Sequence, residues 1–109
     1  MAIVVGVALA APVRCTAGSV VAWGYNEYGQ TDVPPDATNV VAVAGGGTTD
    51  GTGHSMALRV DGTVLAWGGN YRGECTVPDG LTNVLAIAAG WAHSLSLRAD
   101  GTVVAWGHN

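Results

Sequence analysis

The sequence HSMALRVDGTVLAWGGN at residues 54–70 returns as HSLSLRADGTVVAWGHN at residues 93–109, with 12 of 17 positions identical. Both copies hold an Asp-Gly pair between two short apolar segments, and Asp-Gly between strands is a strong signal for a β-hairpin. Polar and apolar residues alternate before the turn of the second copy, which is typical of a half-buried strand. The repeated stretch therefore predicts two antiparallel strands, the second of which ends at Trp-Gly.

The repetition extends beyond this hairpin. A shift of 44 residues aligns residues 23–46 with residues 67–90, and 12 of 24 positions are identical. The hairpin copies lie only 39 residues apart, so five additional residues must lie in the earlier copy. They fall within residues 47–53, which stand where the next copy has only Trp91 and Ala92. The sequence is therefore a repeat array with one insertion.

Each repeat contains four strand-like segments. A buried apolar segment precedes the hairpin, and a short segment follows Trp-Gly and ends at Pro34 or Pro78. Because proline is confined mainly to strand ends and sheet edges, this last segment is predicted to be an outer strand. Four antiparallel strands per roughly 40 residues form a β-propeller blade.

The predicted fold is therefore all-β, a partial propeller of about three blades. Residues 1–109 are assigned to a single repeat domain. Its predicted parts are a degenerate first blade over 1–38, a second blade with the insertion 47–53 over 39–82, and an incomplete third blade over 83–109.

Composition argues against several classes of function. Charged residues make up 11% of the chain, against roughly a quarter in an ordinary soluble domain. The net charge is −4 and the four arginines are dispersed, so we expect no nucleic-acid partner. No apolar run approaches the ~18 residues of a membrane span, so no membrane partner is expected. The sequence leaves two alternatives open for Cys15 and Cys75: a disulfide between them, or two free thiols.

The polar residues form no recognisable catalytic or metal-binding set. His54 and His93 each precede a serine, but adjacent residues of a strand point to opposite faces and cannot pair as base and nucleophile. Their recurrence predicts a structural role, with the imidazole bonding the backbone of a turn. The glycine-rich residues 45–53 lack the Lys-Ser/Thr ending of a phosphate loop and are predicted to be a flexible surface loop. We therefore predict no enzyme, no cofactor and no metal.

The aromatic residues divide into two groups. The tryptophans of the Trp-Gly pairs recur in place and are predicted to pack in the core or between blades: Trp23, Trp67 and Trp106. Trp91 has no counterpart in the earlier copy and lies in a two-residue turn, which is typical of an exposed binding anchor. The loops after Trp-Gly, which in a blade lie on the same face as that turn, vary between copies. The candidate partner-binding residues are Trp91, Tyr25, Tyr28, Tyr71 and Arg72.

The motifs VVAWGYNEYGQTDVP (20–34), NVVAVA (39–44), HSMAL (54–58) and DGTVLAWG (61–68) resemble the repeat of the regulator of chromosome condensation family. The short period and the Val-Pro ending look most like a secreted bacterial branch, which includes a propeller-type inhibitor of β-lactamase. The resemblance covers residues 20–109 and implies a closed propeller. It also implies that loop aromatics contact a partner. It favours a secreted or cell-surface bacterial location, although residues 1–11 alone read either as an inner strand or as a signal-peptide remnant.

The predicted function is a non-catalytic module that binds a protein partner through loops on one face. The alternative is an inhibitor of a secreted bacterial enzyme such as a β-lactamase. Guanine-nucleotide exchange on a small GTPase ranks last, because the resemblance is closer to the bacterial branch. Three blades leave terminal faces uncovered, which predicts self-association or the presence of the remainder of a longer propeller.

Overall fold

Short apolar segments separated by turn residues form eight strands in the computed structural model, which describes residues 3–8 and 18–109. The strands are β1 Ile3–Ala8, β2 Ser19–Gly24, β3 Val40–Gly47, β4 Gly53–Arg59, β5 Val64–Gly68, β6 Val84–Ala89, β7 His93–Arg98 and β8 Val103–Gly107. They pair antiparallel in three sheets: β1–β2 is the first sheet, β3–β4–β5 the second and β6–β7–β8 the third. The all-β prediction is confirmed.

The prediction of four strands per blade is wrong for the second sheet, which has three, and the third sheet, which was predicted to be incomplete, also has three. The segments predicted as outer strands, 29–33 and 73–77, form turns instead. In each turn the asparagine after Trp-Gly satisfies the backbone locally. Asn26 Oδ1 accepts the N–H of Thr31, and Asn70 Oδ1 accepts that of Cys75, both at 2.8 Å. This side-chain bond replaces the ladder bond of a fourth strand.

The middle strand of the second sheet is covered on both faces. Ser55 and Ala57 face the first sheet, where Ala57 joins one apolar cluster. The alternate residues Met56 and Leu58 face the third sheet and join a second cluster. Side chains of a strand point alternately to its two faces. Stacked sheets on both sides therefore explain why β4 is buried along almost its whole length.

Successive sheets are also joined by polar contacts at one end. The backbone carbonyl of Gln30, in the turn after the first sheet, accepts hydrogen bonds from Ser55 Oγ at 2.8 Å and from Trp67 Nε1 at 3.0 Å. The carbonyl of Glu74, one repeat later, accepts the equivalent pair of bonds. Its donors in the third sheet are Ser94 (2.8 Å) and Trp106 (2.9 Å). The recurring Ser and Trp therefore attach each sheet to the turn of the preceding repeat.

Trp23 departs from the packing predicted for it. It is 54% exposed, whereas Trp67, one repeat later, is 8% exposed. Trp67 lies beneath the turn that contains Gln30, and the described residues include no such turn ahead of Trp23. The prediction of a packed tryptophan is confirmed for Trp67, while Trp106 is half-buried.

The insertion at 47–53 forms the tip of the β3–β4 hairpin, so the prediction of a loop over 45–53 is wrong for residues 45–47 and 53, which lie in these strands. The ladder of β3 and β4 continues through the pair Gly47 and Gly53. Asp50 accepts the backbone N–H of Thr52 at 3.0 Å, as Asp61 and Asp100 do for the threonines that follow them in the other hairpins. Asp-Gly-Thr is thus the same turn in three places, with the glycine at positive φ each time.

At the amino-terminal end, residues 3–8 form a strand, which is one of the two alternatives stated for residues 1–11, and Val4 lies opposite Trp23. Cys15 and any disulfide to it lie outside the described residues. Cys75 carries a thiol that donates to the carbonyl of Gly69 at 3.1 Å, and burial together with the nearby charge of Glu74 raises its pKa to about 12. Among the described residues no helix is long and apolar enough to cross a membrane.

Candidate functional site

A pocket of about 300 Å³ opens where the β3–β4 and β6–β7 turns meet the loops after β2 and β5. Residues of all three repeats line it: Tyr28, Thr48, Asp50, Thr52, Tyr71, Arg72, Glu74, Trp91 and Ala92. Four of the five residues predicted from sequence are in this set, and Tyr25 is not. The structure therefore brings together loop residues that are widely separated in the sequence.

Aromatic side chains supply much of the lining and remain open to solvent. The rings of Tyr28 and Tyr71 meet edge to face, with centroids 5.7 Å apart and an interplanar angle of 80°. Tyr71 is 74% exposed and Trp91 is 60% exposed. The Trp91 ring meets His108 in a similar edge arrangement at 6.3 Å. Large exposed aromatics at the rim of a concave site are the residue type that anchors binding partners.

Tyr25 supports the pocket from outside. Its ring lies against the hairpin tip, where a Cβ added at Gly51 would come within 2.6 Å of the Tyr25 ring. The Tyr25 hydroxyl donates to Glu27, and this bond raises the pKa of Tyr25. We therefore assign Tyr25 to the support of the insertion, whose tip forms one wall of the pocket.

Two carboxylates add negative charge to the lining. Asp50 accepts hydrogen bonds from the hydroxyls of Thr48 and Thr52, which lower its pKa to about 2, so Asp50 is ionised at neutral pH. Glu74 is only 4% exposed. Its Oε2 accepts the backbone N–H of Arg72 at 2.8 Å. Arg72 supplies the positive charge of the lining, and its side chain is exposed.

Sequence reasoning missed four polar residues of this lining. Thr48, Asp50 and Thr52 were passed over within a glycine-rich loop, although Asp-Gly-Thr at 50–52 repeats the turn motif at 61–63. Glu74 was also passed over. Aligned at the shift of 44 residues, it stands where the preceding repeat has Gln30, and this exchange of amide for carboxylate is visible in the sequence.

The histidine of one recurring His-Ser pair contacts the serine of the next pair, between the second and third sheets. His54 Nε2 lies 3.0 Å from Ser94 Oγ, 40 residues away, and both residues are fully buried. Ser94 donates its only proton to the carbonyl of Glu74, so Ser94 must accept from His54 Nε2–H. The serine proton therefore points away from the imidazole, and no substrate reaches either group. The predicted structural role holds for His54, although its partner is a serine of the next repeat rather than a turn backbone, whereas His93 is exposed.

This pair makes folding stability depend on pH. Burial lowers the pKa of His54, and its buried Nδ1 has no hydrogen-bond partner in the described structure. Below about pH 6.5 the unfolded chain therefore binds a proton that the folded chain does not. We expect the free energy of unfolding to fall as the pH is lowered through this range, by at most about 1.4 kcal/mol per pH unit. Above pH ~6.5 the contribution is constant.

Urea denaturation at a series of pH values tests this expectation. His54→Gln keeps a donor toward Ser94 without a titrating group, so its unfolding free energy should depend less steeply on pH. His93→Gln, which alters the exposed histidine of the next repeat, is the matched control. Equal slopes in all three proteins would show that His54 does not remain neutral in the fold.

No group of three or more His, Cys, Asp or Glu residues that could hold a metal ion occurs in the described parts of the chain. The titrating groups of the pocket lining are two carboxylates, two tyrosines and one arginine. The arrangement offers shape, aromatic surface and charge, with which a concave site binds a ligand.

Comparison with known proteins agrees with the architecture. Seven chains of solved structures match; one is titled "Crystal structure of the C-terminal domain of gp131 from bacteriophage phiKZ", at 20% sequence identity and a TM-score of 0.57. That match covers 84% of this chain and 25% of the phage chain, so this chain spans about a quarter of it, and the likeness concerns the fold alone.

Curated proteins gave no match. The model of the regulator of chromosome condensation (RCC1) repeat matches residues 40–74 and 84–109, more than half of the chain. These residues include all the strands of the second and third sheets. The chain belongs to the regulator of chromosome condensation (RCC1) repeat family.

Proposed function

We propose that this chain is a non-catalytic binding module that holds a protein partner at the loop-face pocket. The observation that carries the proposal is that recurring and variable residues of the repeats lie in different places. Residues that recur between repeats, such as Ser55 and Trp67, form the contacts between sheets. Residues that differ between repeats, such as Trp91 and Tyr71, are exposed around one pocket.

An inhibitor of a secreted bacterial enzyme is one form of this proposal. Trp91, at the tip of a two-residue turn and largely exposed, is suited to insertion into a cleft of such an enzyme. The short repeat and the Val-Pro ending support the bacterial branch, and with it a secreted or cell-surface location. Nucleotide exchange on a GTPase has no comparable support in the pocket.

The test uses a phage-displayed library of random peptides selected on the full chain. Peptides that bind should lose roughly 30-fold or more in affinity on Trp91→Ala, because a desolvated aromatic anchor contributes about 2 kcal/mol or more. Trp91 lies at the surface, so the variant should melt at the temperature of the wild-type protein. Leu85→Ala is the matched control, since Leu85 is equally exposed but lies in β6, outside the pocket.

Titration calorimetry of each selected peptide against the three proteins gives the comparison. Loss of affinity on Trp91→Ala alone supports the loop face. Peptides that bind Trp91→Ala as tightly as wild type, and that lose affinity on Leu85→Ala, would move the binding surface to the outer face of the third sheet and overturn the proposal.

A further inference from the structure

We infer that the pocket receives the positively charged end of a lysine or arginine side chain of the partner. The inference rests on the proposed function and specifies its chemistry. Its starting point is the exchange between Gln30 and Glu74, two residues at equivalent positions of successive repeats that occupy equivalent turns. In each turn one side-chain oxygen accepts the backbone N–H of the residue two positions earlier, at 2.9 Å for Gln30 and 2.8 Å for Glu74.

The other half of each side chain has a different role. Gln30 Nε2 donates to the carbonyl of Gly51 in the inserted hairpin at 3.0 Å. The third sheet has no such hairpin, because Trp91 and Ala92 replace it. Glu74 therefore carries an oxygen at the position where Gln30 has its donor. Within residues 18–109 the backbone N–H of Arg72 is the one hydrogen-bond donor to the Glu74 carboxylate.

A nearly buried carboxylate remains costly unless a positive charge accompanies it in addition to its hydrogen bonds. Glu74 is part of the pocket lining, so a cationic ligand in the pocket would supply that charge. Asp50, which is ionised at neutral pH, lines the same pocket. Against these two negative groups the lining has one positive group, Arg72, and the balance of formal charge is −1.

The aromatic lining favours the same ligand. Tyr28, Tyr71 and Trp91 all border the pocket, and the faces of tyrosine and tryptophan attract ammonium and guanidinium groups through their ring quadrupoles. Aromatic rings combined with carboxylates are the lining that recognises organic cations. A pocket of about 300 Å³ has room for the end of one side chain. The net charge of −4 on the whole chain further favours a basic partner.

The test follows the indole N–H signal of Trp91 by NMR, assigned by its loss in Trp91→Ala. The probes are N-acetyl-lysine methylamide, N-acetyl-arginine methylamide and choline. The uncharged carbon isostere of choline and acetate are the controls for apolar and anionic binding. Lysine or arginine probes should shift the signal in a saturable way, while the isostere and acetate should not.

Two charge variants are expected to change the affinity for the cation probes in opposite directions. Glu74→Gln reproduces the residue that the preceding repeat carries in the same turn, so the fold is preserved, and it should weaken the cation probes roughly tenfold or more. Arg72→Gln removes the competing positive charge and should strengthen them. Equal binding of the isostere, or no effect of Glu74→Gln, would overturn the inference. Acetate binding that is lost in Arg72→Gln would show that the pocket binds anions rather than cations, and would also overturn the inference.

The library peptides separate this inference from the proposed function. If peptides depend on Trp91 but are indifferent to Glu74→Gln, the protein-binding function stands and the cation site is wrong. If the cation probes bind and no peptide does, the pocket is a site for small organic cations. The inference that the cation is a side chain of a partner protein is then wrong. Selected peptides with a basic residue at a fixed position, weakened by Glu74→Gln, support both.

Discussion

Trp67→Ala is expected to lower the free energy of unfolding by about 3–5 kcal/mol, the range for removing a core tryptophan. Trp67 is 8% exposed and packs in the cluster between the first and second sheets. Its indole N–H also donates to the carbonyl of Gln30. The substitution therefore creates a cavity and removes one of the two bonds that the carbonyl of Gln30 accepts from the second sheet.

Trp23→Ala is the matched control for this prediction. Trp23 occupies the same position of the preceding repeat and precedes a glycine in the same way, but it is 54% exposed. Its replacement should cost about 1 kcal/mol or less. Chemical denaturation of both variants measures the difference. If the two variants lose equal stability, the inter-sheet role of Trp67 is wrong.

Gly46→Ala is expected to cost about 3 kcal/mol, at the upper end of the range for overpacking. A Cβ at this position would come within 2.9 Å of the His54 ring and closer still to the carbonyl oxygen of Gly90 in the third sheet. A carbonyl of the backbone cannot rotate away as a side chain does. The added methyl group must therefore push the second and third sheets apart.

Gly90→Ala provides the comparison, because Gly90 aligns with Gly46 at the shift of 44 residues. There the nearest neighbour of an added Cβ is the imidazole of His93, an exposed side chain that has space to rotate. We expect its cost to be well below that of Gly46→Ala in thermal and urea denaturation. Equal losses of stability in the two variants would show that the backbone of Gly90 does not pack tightly against Gly46.

The parts of this fold that depend on local pattern are readable from the sequence. His93–Arg98 is a strand with the predicted bounds, since its alternation and the following Asp-Gly turn act over a few residues. The location of the insertion follows from alignment of the repeats alone. The predicted gathering of Trp91 with Tyr71 relied on repeat geometry, which places equivalent loops on the same face.

Interactions between repeats were harder to predict from the sequence. His54 bonds to Ser94 in the next sheet, and a pattern within one repeat does not indicate this partner. The segment before Pro78 has strand-like composition, yet Asn70 folds it into a turn through a side-chain bond to Cys75. Glu74 lines the pocket because the third sheet lacks the hairpin that Gln30 contacts. Each case depends on how neighbouring sheets stack, which composition and periodicity do not encode.

We propose that the variable loops form the surface that binds the partner and that the recurring residues form the scaffold. Chemical-shift mapping of the tightest library peptide on the isotopically labelled chain tests it most directly. We expect the perturbed amides to cluster around Tyr28, the hairpin tip 48–52, Tyr71 and Trp91. Perturbations concentrated instead on β6 and β8, around Leu85 and Val103, would place the partner on the outer face of the third sheet and contradict the account.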